Sequence, residues 1–199
     1  QIYGGTETEE RFFGLTIQGT GGTTKTIDRL VDYIKEILPQ VNHHERSSCD
    51  ASKLKVALQC GGSDGYSGIT ANPALGRASD MLVGLGGAVV LSETPEIYGA
   101  EQLLLERATS DAVGERLLEK LAWWRDYAAQ NNASLDNNPS PGNKVGGLTT
   151  ILEKSLGAVA KSGATPLMGV LDYAEKIGSS GLIFMDTPGF DPVSATGQI

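Results

Sequence analysis

No run in this 199-residue sequence stays apolar for the ~18–20 residues that a membrane-spanning helix needs. No signal-peptide pattern is visible either, so neither a membrane protein nor a secreted one is expected. Positive charge is in deficit: 16 basic residues face 24 acidic ones, for a net charge of −8. Such a chain is repelled by phosphate backbones, which excludes a general nucleic-acid role. Cysteine is scarce. Cys49 and Cys60 stand eleven residues apart in unlike settings, one in a polar loop and one after an apolar run. A disulfide is not expected, and a cytoplasmic protein is. Internal repeats, heptads and low-complexity tracts are absent.

Glycine, in contrast, is abundant at 26 residues, often in short clusters between apolar runs. That pattern suits many tight strand–helix turns, because only glycine takes positive φ cheaply. Apolar runs at 12–18, 54–58, 88–91 and 181–185 read as strands. Helical spacing covers Thr26–Val41, with Ile27, Leu30, Val31, Ile34, Ile37, Leu38 and Val41 at helical positions. Further helices are predicted over Pro73–Leu85, with Leu75, Ala78, Met81, Leu82 and Leu85 inward, and over 100–130, divided at Gly114 or at the cap signal Thr109-Ser-Asp111. Gly146–Ala160 and Leu167–Ala174 read as helices too. The order β-α-β-α-β-α-α-α-β predicts an α/β fold: a mainly parallel sheet with helices on both faces, a Rossmann-like three-layer sandwich. A single domain is expected. The first residue is Gln and the closing Thr196–Ile199 has no terminating character. The expectation is therefore a piece of a longer protein, inactive by itself.

Three of the four predicted strands end in polar turns: Cys60-Gly-Gly-Ser-Asp-Gly65, Ser92-Glu-Thr-Pro-Glu96 and Met185-Asp-Thr-Pro-Gly189. In a parallel sheet all carboxyl ends lie on one edge, where ligands bind in the crevice between diverging connections. Cys60, Ser63, Asp64, Glu93, Glu96 and Asp186 are thus expected to approach one another. The long polar loop Asp136–Lys144 is expected to join them, since long ordered loops are uncommon without a function.

Each segment has two readings. The Cys60–Gly65 segment is a tight turn with Asp64 as a cap, or an anion cradle of backbone amides. It lacks the Lys-Ser/Thr of a phosphate-binding loop and the spacing of a dinucleotide fingerprint. Cys60 is a small buried hydrophobe or a metal ligand. Ser92–Glu96 starts a helix with Thr94 as cap, or it places two carboxylates where metals and general bases are supplied. Trp123 and Trp124 lie on an amphipathic helix, as core or interface packing explains.

The wording of these segments goes further. Leu58–Met81, Val90–Leu105, Asp136–Ala164 and Phe184–Ile199 resemble the carboxy-terminal region of galactarate and altronate dehydratases, and the large subunit of sulfolactate sulfo-lyase is similar. The resemblance runs from about Phe12 to Ile199. It implies loss of water from a hydroxy acid to give a 2-keto-3-deoxy acid, with a divalent metal, typically iron(II) and in some members manganese. Family proteins carry further domains outside this stretch. The resemblance implies a small sugar acid as partner; charge and hydropathy speak against nucleic acid and membrane, and a homo-oligomeric assembly is expected.

Such a reaction needs a base, stabilisation of an enediolate, and a proton for the departing hydroxyl. The expected catalytic groups are Glu93, Glu96 and Lys144, the glutamates as base or metal ligand. The expected substrate-binding groups are Ser63, Asp64, Asn138, Asn143 and Lys154, the lysines neutralising carboxylates and the asparagines holding hydroxyls. Cys60 and Asp186 are the expected metal ligands.

Overall fold

The computed structural model describes residues 13–189. The chain divides into two units, Gln1–Ser48 and Cys49–Ile199. In the first, helix α1 (Ile17–Thr20) is followed by α2 (Thr23–Val41). The predicted strand at 12–18 is not observed over its described part. Thr16 caps α1 instead, its side chain accepting a hydrogen bond from the Gly19 amide. A threonine that satisfies a free amide locally favours a helix start over an extended run. Phe12 lies outside the described residues. Helix α2 forms where its spacing predicts; of its apolar residues Ile27, Leu30, Val31, Ile34, Leu38 and Val41 are exposed and Ile37 is half-buried.

The second unit is built on four strands: β1 (Lys55–Leu58), β2 (Ala88–Leu91), β3 (Leu167–Leu171) and β4 (Gly181–Met185). They form one all-parallel sheet in the order β1-β2-β4-β3. This is the expected α/β class. Central strands β2 and β4 are buried at every residue, which is why they read as unbroken apolar runs. The edge strands are only partly buried.

Strand β3 corrects the sequence reading, which gives Leu167–Ala174 as a short helix. Five apolar residues fit either state by periodicity. Gly169 and the β-branched Val170 weaken a helix, and pairing with β4 from Leu167↔Leu182 to Leu171↔Met185 decides for a strand.

The helices of this unit are α3 (Ala71–Gly84), α4 (Gln102–Leu105), α5 (Asp111–Gln130), α6 (Pro141–Val145) and α7 (Ile151–Ala160). Ser110 caps α5, so the division falls at the Thr109–Asp111 signal and not at Gly114. Val89, Leu91, Leu182 and Phe184 pack with Leu117 and Leu121 of α5 and Val159 of α7, and Leu82 and Val83 of α3 join them. On the other sheet face Val90, Ile183 and Met185 meet Ile177 from the β3–β4 loop.

The inward face of α3 also differs from the prediction. Leu75, Ala78, Met81 and Leu85 are exposed, while Gly76 and Ser79 are buried. The cause is a close approach to α7. A Cβ on Gly76 would lie 2.2 Å from the Ala160 carbonyl. The Ser79 hydroxyl donates to the Lys161 carbonyl at 2.9 Å. Small residues face the partner helix because backbones meet there, and hydrophobicity alone does not reveal such a face.

Candidate active site

The strand register explains how distant residues converge. Leu58, Leu91 and Phe184 stand side by side on β1, β2 and β4. Cys60, Glu93 and Asp186 each follow two residues later. Neighbouring strands are ~4.8 Å apart, so these three leave the sheet close together.

Their side chains then part. The Cys60 amide donates to Glu93 Oε2 at 2.6 Å. Asp186 turns away: its Oδ1 accepts from the Thr94 hydroxyl at 2.6 Å and from the Trp124 indole at 2.7 Å.

The turn after β2 carries both glutamates. Glu93 sits at φ 69°, a left-handed conformation for a residue with a side chain. Strain of that kind costs about 1–3 kcal/mol and persists only when surroundings fix it. The exit of β4 does so. The Glu93 amide donates to the Thr187 hydroxyl at 2.8 Å, and the Thr94 amide donates to the Thr187 carbonyl at 2.9 Å. Pro95 then starts a 3-10 turn over Thr94–Glu96. As a result Glu93 and Glu96 are both buried.

Helix α7 answers them with lysines. Lys154 and Lys161 are seven residues apart, two helical turns, and so share a face. Lys154 Nζ donates to Glu96 Oε1 at 2.9 Å, Asn138 Oδ1 at 2.8 Å and Asn143 Oδ1 at 3.2 Å. Its three hydrogens are thereby used. Lys161, fully buried, places Nζ 2.9 Å from Cys60 Sγ and 3.7 Å from Glu93 Oε2.

Cys60, Glu93 and Glu96 each offer one donor atom, and these atoms lie within 4.8 Å of one another. Glu93 Oε1 and Glu96 Oε2 are buried without a hydrogen-bond partner. Burial pushes the Cys60 thiol up to about 12, with the two carboxylates adding to the shift and Lys161 opposing it. Burial, then the Glu96 charge, pushes Glu93 up to about 7, against the Cys60 amide and Lys161. The one sulfur and two carboxylates of this centre suit a divalent first-row transition metal.

The other predicted residues divide. Asn138 and Asn143 lie at this centre through Lys154, and Asn138 Nδ2 also donates to Glu96 Oε1 at 3.3 Å. Asn143 closes a capping box with Ser140 at the start of α6 and donates to the Ser63 carbonyl at 2.9 Å. Asp64 Oδ1 accepts from the Tyr66 and Ser67 amides, both at 2.8 Å, which holds its carboxyl below the usual range. Ser63 and Asp64 face a cavity of about 380 Å³ on the Leu148–Gly157 side. Lys144 is exposed on α6.

Sequence reading missed Lys161, Thr187, the contact of Thr94 with Asp186 and the site contact of Trp124. For Lys161 a signal existed: it repeats Lys154 at i+7 and follows the apolar run Leu156–Ala160. A lysine at a helix end is ordinarily solvated, so the signal was easy to pass over.

A cavity of about 880 Å³ opens on the centre. Cys60, Glu96, Lys154 and Asn138 line one part of it, and Trp123, Trp124 and Tyr127 another. Trp123 and Tyr127 stack at 5.1 Å, and Trp123 is 54 % exposed.

Fold and site together define a parallel α/β domain with a buried polar centre at its strand ends, where such folds bind small ligands. The chain belongs to the family described as D-galactarate/altronate dehydratase, C-terminal, whose model matches residues 51–199. It is 42 % identical over 178 residues to galactarate dehydratase (L-threo-forming) of Escherichia coli, covering 89 % of this chain and 34 % of that protein. It is 40 % identical over 173 residues to altronate dehydratase of Bacillus subtilis, covering 87 % and 35 %. It is 38 % identical over 170 residues to (2R)-sulfolactate sulfo-lyase subunit beta of Chromohalobacter salexigens, covering 83 % and 43 %. The chain thus spans about a third of the length of the first two relatives. Among the described residues no helix is long and apolar enough to cross a membrane.

Proposed function

We propose that this chain carries the reaction centre of a metal-dependent hydro-lyase that dehydrates a sugar acid of the galactarate or altronate type to a 2-keto-3-deoxy acid. The observation that supports this most is the pair of buried, unpartnered oxygens, Glu93 Oε1 and Glu96 Oε2, beside the Cys60 sulfur. Buried carboxylate oxygens cost free energy unless something pairs with them. Iron(II) or manganese(II) would meet that need. Cys60 and Glu96 would hold the ion, with Glu93 as third donor. When bound, it would supply Lewis acidity to the carboxylate and hydroxyl oxygens of the substrate.

The residues supply the remainder. Lys154 fixes Glu96 and orients Asn138 and Asn143, whose position suits hydroxyl recognition. Lys161 offsets the charge of Glu93 at 3.7 Å and contacts the Cys60 sulfur at 2.9 Å, so it holds both groups toward the ion's place. Thr187 and Asp186 hold the turn that aims both glutamates.

Binding of manganese(II), followed by electron paramagnetic resonance, tests this reading. The wild-type chain is expected to bind one ion per chain, and Cys60→Ala and Glu96→Gln to weaken it more than about tenfold each. Wild-type binding unchanged in both variants would sink the assignment. A second reading keeps the centre and exchanges the leaving group for sulfite, supported by the 38 % identity to the sulfo-lyase subunit. Release of sulfite from sulfolactate, with no keto-deoxy acid formed from galactarate or altronate, would favour it.

A further inference from the structure

We infer that Arg107 is a positioning residue for the ion centre: without touching it, the guanidinium fixes the end of α7 and so places Lys161 against Cys60 and Glu93. This rests on the reading of that centre as a metal site given above.

Arg107 lies on the stretch from β2 to α5, the same stretch that carries Glu93 and Glu96. It is anchored at its root. Its carbonyl accepts from the Leu167 amide at 2.8 Å, at the start of β3, and its Nε donates to the Leu103 carbonyl at 3.0 Å. The head reaches the turn that closes α7. Nη1 donates to the Gly163 carbonyl at 2.7 Å and the Thr165 carbonyl at 3.2 Å, and Nη2 donates to the Ser162 hydroxyl at 2.8 Å. Ser162 Oγ donates in turn to the Val159 carbonyl at 2.7 Å. A helix end leaves carbonyls without partners, and a planar cation with several fixed donors suits it in both geometry and charge. Asp80 of α3 holds the same turn, accepting from the Ala164 amide at 2.8 Å and the Thr165 amide at 3.3 Å.

Arg107 is not among the residues that line the cavity on the centre. The turn it grips begins one residue after Lys161. At a rise of ~1.5 Å per residue, a displacement of that turn reaches Lys161 with little loss. Lys161 has no room to absorb it: the side chain is buried, with Nζ 2.9 Å from Cys60 Sγ and 3.7 Å from Glu93 Oε2. Metal–ligand distances hold to about 0.2 Å, so a small shift here counts. The stretch from β2 to α5 thus grips α7 twice, by the Glu96–Lys154 pair at the site and by Arg107 at the helix end. Without the second grip, α3 alone holds that end, through Ser79 and Asp80.

Manganese(II) affinity, followed by electron paramagnetic resonance and set beside the melting temperature, is the test. Arg107→Met keeps the stem and loses the fork. It is expected to weaken binding about threefold or more, a smaller loss than for a group that contacts a ligand directly. Arg107→Lys keeps the charge without the fork and should weaken binding too, and it serves where the methionine variant does not fold. Ile177→Ala removes a buried side chain on the other sheet face, in the residue whose carbonyl accepts from Lys55 at the start of β1. It should lower the melting temperature and leave the affinity unchanged, which separates positioning from stability. In a Lys161→Met background, Arg107→Met should change the affinity less than about twofold, since the residue it positions is gone. Wild-type affinity in both Arg107 variants, an equal loss in Ile177→Ala, or the same loss with and without Lys161 would overturn the inference. A wild-type chain that binds no manganese would instead overturn the reading of the metal centre, so the two failures are distinct.

Discussion

Replacing Lys161 by Met gives the sharpest test of the electrostatics at the strand ends. Lys161 and Glu93 face each other at 3.7 Å with side chains only 2 % and 3 % exposed. At an effective dielectric of about 20, two unit charges at that distance attract by about 4 kcal/mol. Breaking a buried pair by removing one partner costs a comparable ~3–5 kcal/mol, because the other charge is left uncompensated. Methionine matches the lysine stem in shape, so the packing loss is small. Lys161→Met is therefore expected to lose about 3–4 kcal/mol at pH 8, measured by urea unfolding of chelator-treated protein with tryptophan fluorescence as the signal.

The pH dependence carries the discrimination. Glu93 ionises at about 7 in the folded protein against an ordinary 4.5. Between those values the folded chain holds a proton that the unfolded chain has released, so stability falls as pH rises through this window. Lys161 opposes that shift, and its removal extends the window upward. Near pH 5 Glu93 is neutral in both proteins, and the cost of Lys161→Met should shrink to about 1 kcal/mol, the order of one lost hydrogen bond. Adding Glu93→Gln to Lys161→Met should recover most of the loss at pH 8. A cost that stays constant from pH 5 to pH 8, with no recovery in the double variant, would refute the coupling.

Uptake of manganese(II) should release protons, because Cys60 and Glu93 must give theirs up, so apparent affinity should rise from pH 6 to pH 8; calorimetry in buffers of different ionisation enthalpy counts them. Gly76→Ala should destabilise the second unit by more than about 3 kcal/mol, since the new Cβ meets the Ala160 carbonyl at 2.2 Å and backbone cannot step aside; thermal unfolding reads this directly. Asp186→Ala should cost about 1–3 kcal/mol by leaving the Trp124 indole and the Thr94 hydroxyl without their shared acceptor. It should also weaken manganese binding by loosening the glutamate turn, whereas Asp186→Asn, which keeps an acceptor oxygen, should restore the affinity.

How much of this was legible in the sequence depends on which physical effect placed each residue. The meeting of the Cys60, Glu93 and Asp186 segments follows from parallel pairing alone. Once 54–58, 88–91 and 181–185 are read as parallel strands, their ends must share an edge. That step needs apolar runs and turn residues, and both are visible in one dimension. The direction each side chain then takes is not. Asp186 carries the same carboxylate chemistry as Glu93 and stands at the equivalent place past its strand, yet it serves Thr94 and Trp124 because α5 brings an indole donor to it. Glu93 turns inward because its backbone is held left-handed by Thr187, a contact across 94 residues that no local pattern encodes. The helix faces fail for a related reason. Leu75 and Met81 of α3 outrank Gly76 and Ser79 in hydrophobicity, yet the face toward α7 is the one that lets backbones approach. That same approach sets Lys161 beneath Cys60, since the carbonyl that accepts from Ser79 belongs to Lys161 itself. The small residues of α3 therefore act on the chemistry at one remove: they fix the height of α7, and α7 delivers the two lysines that face the buried glutamates.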